Sequence, residues 1–221
     1  MWNQIKKAMK EWLWRYRSPV VVVGRIVTLI GIVAMALLTA HGRMPSRSSD
    51  LQSGIAREII RFHVIANSDT REDQALKMRV KEQVVGYLSQ TLADEKDIKE
   101  TRETIKNDMT KIKRQAETVI QEAGYDYKVT ATLTNCYFPM KSYGDCTFPA
   151  GQYEALRICI GEAKGKNWWC VLYPNLCFID SIHAVVPEKE KQELKQVLTE
   201  EEYESLFDWK KHDYKIATKW F

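Results

Sequence analysis

Between Ile59 and Leu88 the hydrophobic period changes from two to about three and a half across a short polar turn, and a strand followed by a helix satisfies both halves. In Arg57–Ala66, Ile60, Phe62, Val64 and Ala66 share one face and Ile59, Arg61, His63 and Ile65 the other. Apolar residues on both faces predict a central strand rather than a one-sided one. Asn67-Ser68 ends it. Asp69 with Glu72, or Thr70 with Asp73 one residue on, has the form of a capping box. Leu76, Val80, Val84 and Tyr87/Leu88 then line one helical face, with Lys77, Arg79, Lys81 and Glu82 off it.

The chain beyond this element supplies the partners it needs. A helix is expected from about Asp94 to Ala123, with Ile98, Ile105, Met109, Ile112, Ala116 and Ile120 as its seam and Gly124 as its stop. Tyr127, Val129, Ala131 and Leu133 alternate with Lys128, Thr130, Thr132 and Thr134, the pattern of a half-buried strand. A loop rich in aromatics, Pro and Gly follows, Tyr137–Gly151. A strand through Glu154, Leu156, Ile158 and Ile160, a glycine–lysine turn at Gly161–Asn167 and an apolar strand Trp168–Tyr173 come next. Lys189–Phe207 reads as a helix, and the tail Asp208–Phe221 keeps Trp209, Tyr214, Ile216 and Trp220. The order predicts an α+β domain, residues 55–221, with a mostly antiparallel sheet of about four strands packed by two to three helices.

The amino-terminal segment has a different character. Residues 1–50 hold eight Lys/Arg and two acids, so they carry +6 of a net charge of +4 and leave −2 for the remainder. A nucleic-acid partner is not expected, because phosphate binding needs a basic face on the folded domain itself. Residues 1–19 read as a basic amphipathic leader: Trp2, Ile5, Met9, Trp12 and Tyr16 fall on one helical face, suited to the inner membrane leaflet. Residues 20–40 are apolar except for Arg25 and read as a transmembrane or signal-anchor segment, with the arginine snorkelling toward the cytoplasm. The positive flank keeps the leader inside and exports everything after residue 41. Cleavage after Ala40 is the competing reading, but Leu38 is poorly placed for it. Residues 41–54 read as a linker.

Candidate chemistry in the exported part is sparse. The five cysteines, Cys136, Cys146, Cys159, Cys170 and Cys177, form no C-x-x-C, and no His stands at ligand spacing from one, so neither metal nor cofactor is expected. Cys170 and Cys177 flank the Pro174-Asn175 turn, which would set them opposite each other, as a disulfide or as two buried thiols. His63 with Cys170 or Cys177 is the one Cys–His nucleophile the chain offers, the basis of an alternative reading as an exported thiol-dependent hydrolase or redox enzyme. Asp69, Glu72 and Asp73 fit helix capping without a catalytic role. Gly161–Lys166 lacks P-loop spacing. Trp168 and Trp169 are adjacent on a strand and so face opposite ways, one toward the core and one offered as an interface anchor.

Two long runs then carry a resemblance: IRFHVIANSDTREDQALKMRVK at Ile60–Lys81, and YGDCTFPAGQYEALRICIGEAKGKNWWCVLYPNLCFID at Tyr143–Asp180. Together with the amino-terminal apolar segment they resemble stage II sporulation protein R of endospore-forming Firmicutes, over roughly residues 55–182. The family's A-N-S-D element matches Ala66–Asp69, its E-D-Q-A-L-K matches Glu72–Lys77, and its W-W-C-V-L-x-P-x-L-C matches Trp168–Cys177. The family commonly has Pro where this chain has Asn175.

The resemblance implies a signal rather than an enzyme. Such proteins pass from the forespore into the space between forespore and mother-cell membranes, where they activate a membrane-embedded aspartic protease that matures pro-sigma-E. It therefore implies that protease as partner, through its extracytoplasmic part, and the membrane through the amino-terminal helix. Cys170 and Cys177 are the motif cysteines and hence the disulfide to test. Expected contact residues are Asn67, Asp69, Arg71, Asp73, Gln74 and Lys77 at the turn and helix start, Tyr143 and Asp145 in the aromatic loop, and Trp168 or Trp169. A wall-binding structural module is a further alternative, which would leave the sigma factor untouched.

Overall fold

The computed structural model describes residues 1–17, 19–41, 47–177 and 185–207. It divides into two units, Met1–Ser46 and Arg47–Phe221.

The first unit holds α1 (Trp2–Arg17) and α2 (Pro19–His41). Trp2, Ile5, Met9 and Trp12 are exposed on α1, as are its other described side chains. Described side chains of α2 run from Val22 to Met35, and all are exposed. Among the described residues no helix is long and apolar enough to cross a membrane.

The second unit opens with a correction. Residues 47–54, expected as linker, belong to α3 (Arg47–Glu58). Leu51 and Ile55, one helical turn apart, bury at 7% and 0% exposure, so a Ser-rich segment folds through its two apolar residues. The remaining elements are β1 (Ile60–Ile65), α4 (Arg71–Thr91), α5 (Ile98–Asn107), α6 (Met109–Glu122), β2 (Val129–Phe138), β3 (Lys141–Tyr143), β4 (Cys146–Phe148), β5 (Gly151–Ile160), β6 (Asn167–Tyr173), α7 (Glu188–Val197) and α8 (Glu200–Phe207).

The sheet order is β2-β5-β1-β6, with β1 parallel to β5 and the other pairings antiparallel. The predicted mixed α+β class, four strands and central β1 are all present. One sheet face (Ile60, Phe62, Val64, Leu156, Ile158, Leu172) packs against Val80, Val84 and Leu88 of α4 and Ile112, Ala116 and Ile120 of α6. The other face carries a second core, where Ile55, Phe138, Phe148, Tyr153, Val171, Leu194 and Leu206 bring together α3, the β3–β4 hairpin, α7 and α8. Expected as loop, Lys141–Phe148 is this two-stranded hairpin.

Both long helices read from sequence are broken, each at a polar residue that finds a better partner. Asp108 separates α5 from α6, and its carboxylate accepts the Tyr87 hydroxyl at 2.5 Å and Lys111 Nζ at 2.8 Å. Thr199 separates α7 from α8 through a reciprocal capping box: Glu202 N–H donates to Thr199 Oγ1 at 3.3 Å, and Thr199 N–H to Glu202 Oε2 at 2.9 Å. Gly124 does stop α6. At φ +80° it donates to the Gln121 carbonyl while Tyr125 N–H reaches the Ile120 carbonyl, the paired bonds of a Schellman motif.

Candidate functional site

Asp73 organises the turn between β1 and α4. Of the two N-caps the sequence offered, the structure takes the later one: Thr70 caps α4 by accepting the Asp73 N–H at 3.3 Å, while its own N–H donates to Ser68 Oγ at 3.2 Å. The Asp73 carboxylate is 4% exposed and accepts from Ser68 Oγ at 2.5 Å and Asn67 Nδ2 at 2.8 Å. Burial works to raise its pKa, but hydrogen bonds from Ser68, Asn67, Tyr127 and Thr70 outweigh it and hold the carboxyl below its ordinary value.

This turn is tied to the glycine–lysine turn between β5 and β6. Asn67 Oδ1 accepts the Glu162 N–H at 2.9 Å, and Asp69 Oδ1 accepts the Lys166 N–H at 2.6 Å. Lys164 and Gly165 N–H groups donate to the carbonyls of Asn67 and Ala66 at 3.1 and 3.0 Å. Lys77, 5% exposed, donates to Gln74 Oε1 at 2.6 Å and to the Lys166 carbonyl at 3.0 Å. Gln74 Nε2 completes the set on the Ser68 carbonyl at 3.0 Å. Two glycines make the approach possible. Gly161 has φ +57° and faces Asn67 Oδ1, and a Cβ on Gly165 would run into the Ser68 carbonyl oxygen. Asn67, Asp69, Asp73, Gln74 and Lys77 thus spend polar groups inside the network, while Arg71 is exposed.

Trp168 and Trp169 face opposite ways, as strand geometry requires, but both are half-buried rather than one buried and one exposed. Trp168 meets Phe62 edge-on at 5.6 Å, with Lys81 Nζ 5.3 Å from its ring centroid. Trp169 stacks on His63 at 4.9 Å and 5° and takes the Phe138 ring at 4.8 Å. Since β6 is an edge strand, a cleft of about 710 Å³ opens along it between Met78 and Lys81 of α4 and Tyr143 of the hairpin, with Trp168 and Trp169 in its wall. Asp145 is engaged elsewhere: Oδ1 accepts the Val186 N–H at 2.8 Å and Oδ2 pairs with Lys191 at 3.0 Å, latching the hairpin to the segment before α7.

Arg61 of β1 also belongs to this region. It is fully buried, donates Nε to the Cys170 carbonyl at 3.0 Å and Nη2 to the Tyr143 hydroxyl at 3.1 Å, and has Phe138, Tyr153 and Phe148 rings 4.5, 5.0 and 5.2 Å from its guanidinium carbon. The signal was present: an arginine within an apolar strand has to find such partners.

All five cysteines are thiols here. Cys170 and Cys177 come together as expected, but as thiols rather than a bridge. Both are buried, both Sγ atoms reach the Val171 carbonyl, at 3.4 and 3.1 Å, and burial pushes the Cys177 pKa well up. His63 meets neither of them. Cys170 registers with Phe62 and so lies on the opposite sheet face from His63. His63 Nε2 instead sits 3.6 Å from Cys136 Sγ. Burial raises the Cys136 pKa, and burial with Arg157 and Arg61 lowers that of His63 to about 4. The contact is thus between a neutral thiol and a neutral imidazole, not a thiolate–imidazolium nucleophile. Among the described residues no group of three or more His, Cys, Asp or Glu could hold a metal ion.

These two stitched turns and the tryptophan strand lie inside a segment, residues 56–183, that matches the family described as Stage II sporulation protein R (spore_II_R). The chain is also 35% identical over 153 residues to Stage II sporulation protein R of Bacillus subtilis (strain 168), covering 69% of this chain and 68% of that protein. The chain belongs to the stage II sporulation protein R family. No solved structure matches it. The stage II sporulation protein R match takes in β1 through β6 and α4 to α6, and excludes α1, α2, α7 and α8. Family membership gives the chain a role in sporulation.

Proposed function

We propose that this protein is exported from the forespore and activates the membrane-embedded sigma-E-processing aspartic protease, so that pro-sigma-E matures in the mother cell. The observation that carries the reading is the joining of the two family motifs, about a hundred residues apart in the chain, into one surface. Asp69 and Lys77 bind the backbone of Lys166, and one helical turn on, Lys81 lies over Trp168. The result is a rigid edge, formed by α4, β6 and the hairpin tip, with Trp168, Trp169 and Tyr143 along its cleft. Such pre-organisation favours a ligand that must select one state of its receptor: it acts only through tighter binding to the active arrangement, and ordering cost subtracts from that difference.

In this reading the whole apolar run of residues 20–40, longer than the described side chains Val22–Met35, anchors the protein or directs its export, with residues 1–19 on the cytoplasmic side and the chain after residue 41 outside. The apolar run of residues 20–40, the exposed apolar side chains of Val22–Met35 and the positive charge ahead of them support it. The extracytoplasmic part of the protease docks on the β6 edge, with Arg71 and Lys81 of α4 at the rim.

Co-expression of the full chain with the protease and pro-sigma-E in a non-sporulating host tests the proposal, with sigma-factor processing scored on immunoblots. Processing that depends on this chain is expected. Absence of processing when both membrane partners are correctly exported would sink it.

A further inference from the structure

One row of side chains crosses all four strands on the sheet face away from α4 and α6. Thr132 of β2 registers with Arg157 of β5, Arg157 with His63 of β1, and His63 with Trp169 of β6. Buried side-chain nitrogen or oxygen atoms without a hydrogen-bond partner are few among the described residues, and three of them fall in this row: Thr132 Oγ1, Arg157 Nε and His63 Nδ1. His63 itself is 3% exposed, while Thr132, Arg157 and Trp169 are half-buried and reachable from outside.

The chemistry of the row is one-sided. The Arg157 Nε–H is a donor. His63 Nε2 lies 3.6 Å from the Cys136 thiol, which also reaches the Thr134 carbonyl at 3.6 Å. The Thr132 hydroxyl is free to be a second donor. Fully buried Arg61 lies on the same face, two residues along β1 from His63, and its Nη1 is also without a partner. Neither arginine forms an ion pair among the described residues, whereas Arg102 of α5 has its carboxylate in Glu154 of β5 at 2.8 Å. The aromatic cage explains how Arg61 is tolerated; Arg157 has no such cage. Donors and positive charge gathered on a partly dry face, with no carboxylate partner among the described residues, fit an anionic acceptor from outside.

We propose that this row receives an acidic side chain from the extracytoplasmic part of the protease, its carboxylate bound by Arg157 with Thr132 and His63 beside it and its stem against Trp169. The inference rests on the function proposed above and adds a second contact, on the sheet face, to the β6 edge. Burial first, and then the charges of Arg157 and Arg61, keep the His63 ring neutral.

The test uses the full chain in the co-expression assay, with export levels confirmed. Arg157→Glu is expected to abolish processing, and an Asp or Glu to Arg replacement in an extracytoplasmic segment of the protease is expected to restore it. Arg157→Leu, which keeps the packing of the stem if the reversal fails to accumulate, is expected to weaken binding roughly 30-fold or more. Lys113→Glu on α6, away from this face, is expected to process normally. Normal processing by Arg157→Glu and Arg157→Leu overturns the inference and leaves the signalling role standing. If the unaltered chain triggers no processing, the signalling role falls, and the site is read by NMR on the full chain in detergent. N-acetyl-glutamate amide is then expected to shift the Arg157 Nε–H resonance and N-acetyl-glutamine amide is not; no shift with either overturns the inference.

Discussion

Acidification should loosen the domain through one buried histidine. His63 lies at 3% exposure between Trp169 and Cys136, on a face shared with Arg157 and Arg61, and its pKa is lowered from 6.5 to about 4, by burial first and then by the two arginines. Between these values the unfolded chain binds a proton at this residue that the folded chain refuses. Stability therefore rises with pH across that window and falls as pH drops through it. The loss between pH 7 and pH 5 comes to about 2 kcal/mol, and to about 3 kcal/mol once pH falls below the folded value. For a domain of this size 2 kcal/mol lowers Tm by roughly 4–8 °C. Most carboxylates titrate below pH 5, so histidines dominate the window between pH 6.5 and 5, and comparison with a His63 variant separates this one from the other three. Thermal melts of the full chain in detergent, followed by near-ultraviolet circular dichroism, measure it against His63→Gln. The variant is expected to be less stable at pH 7, having lost the stacked ring, but flatter with pH. Equal slopes in the two proteins, or an NMR titration of His63 near 6.5, would refute the reasoning.

Three further outcomes follow from the stitched turns and the thiols. Asp73→Asn keeps the shape but turns an acceptor into a donor facing Asn67 Nδ2 and Ser68 Oγ, at a cost of about 2–3 kcal/mol in urea unfolding; because the folded carboxyl titrates below its ordinary value, its stabilisation is present at neutral pH and fades only as pH falls below about 4. Gly165→Ala, whose new methyl meets the Ser68 carbonyl oxygen, is expected to cost about 1–3 kcal/mol by the same measurement, and wild-type stability would remove the tight approach from the account. Thiol labelling of the native protein, read by mass spectrometry, is expected to modify half-buried Cys136 and Cys159 well before Cys146, Cys170 and Cys177, with all five reacting after denaturation.

Local chemistry was legible where it repeats along the chain. The alternation at Ile60–Ile65, the apolar stripe of α4 and the glycine after α6 each act through neighbours one to four residues away, and each stands in the structure as read. Helix breaks were not legible in the same way. The seam from Ile98 to Ile120 continues unbroken in sequence, but the Tyr87 hydroxyl, on another helix, finds Asp108. α3 was misread because its polar composition hides two apolar residues whose value depends on the core they enter.

The candidate site shows the same division. Sequence alone marked the turn Asn67–Asp73 and the tryptophan pair, because polar groups at a strand end and adjacent tryptophans are unusual enough to need explaining. It could not say that Asn67 and Asp69 are held by the backbone of residues 162–166, that His63 meets Cys136 rather than Cys170, or that Thr132, Arg157, His63 and Trp169 form one row. Strand pairing sets those relations, and pairing is decided by which faces bury together across the whole sheet. Composition and periodicity determined that the chain makes a central strand and a capped helix; only the register of four strands determined which buried polar atoms gather on one sheet face without a partner.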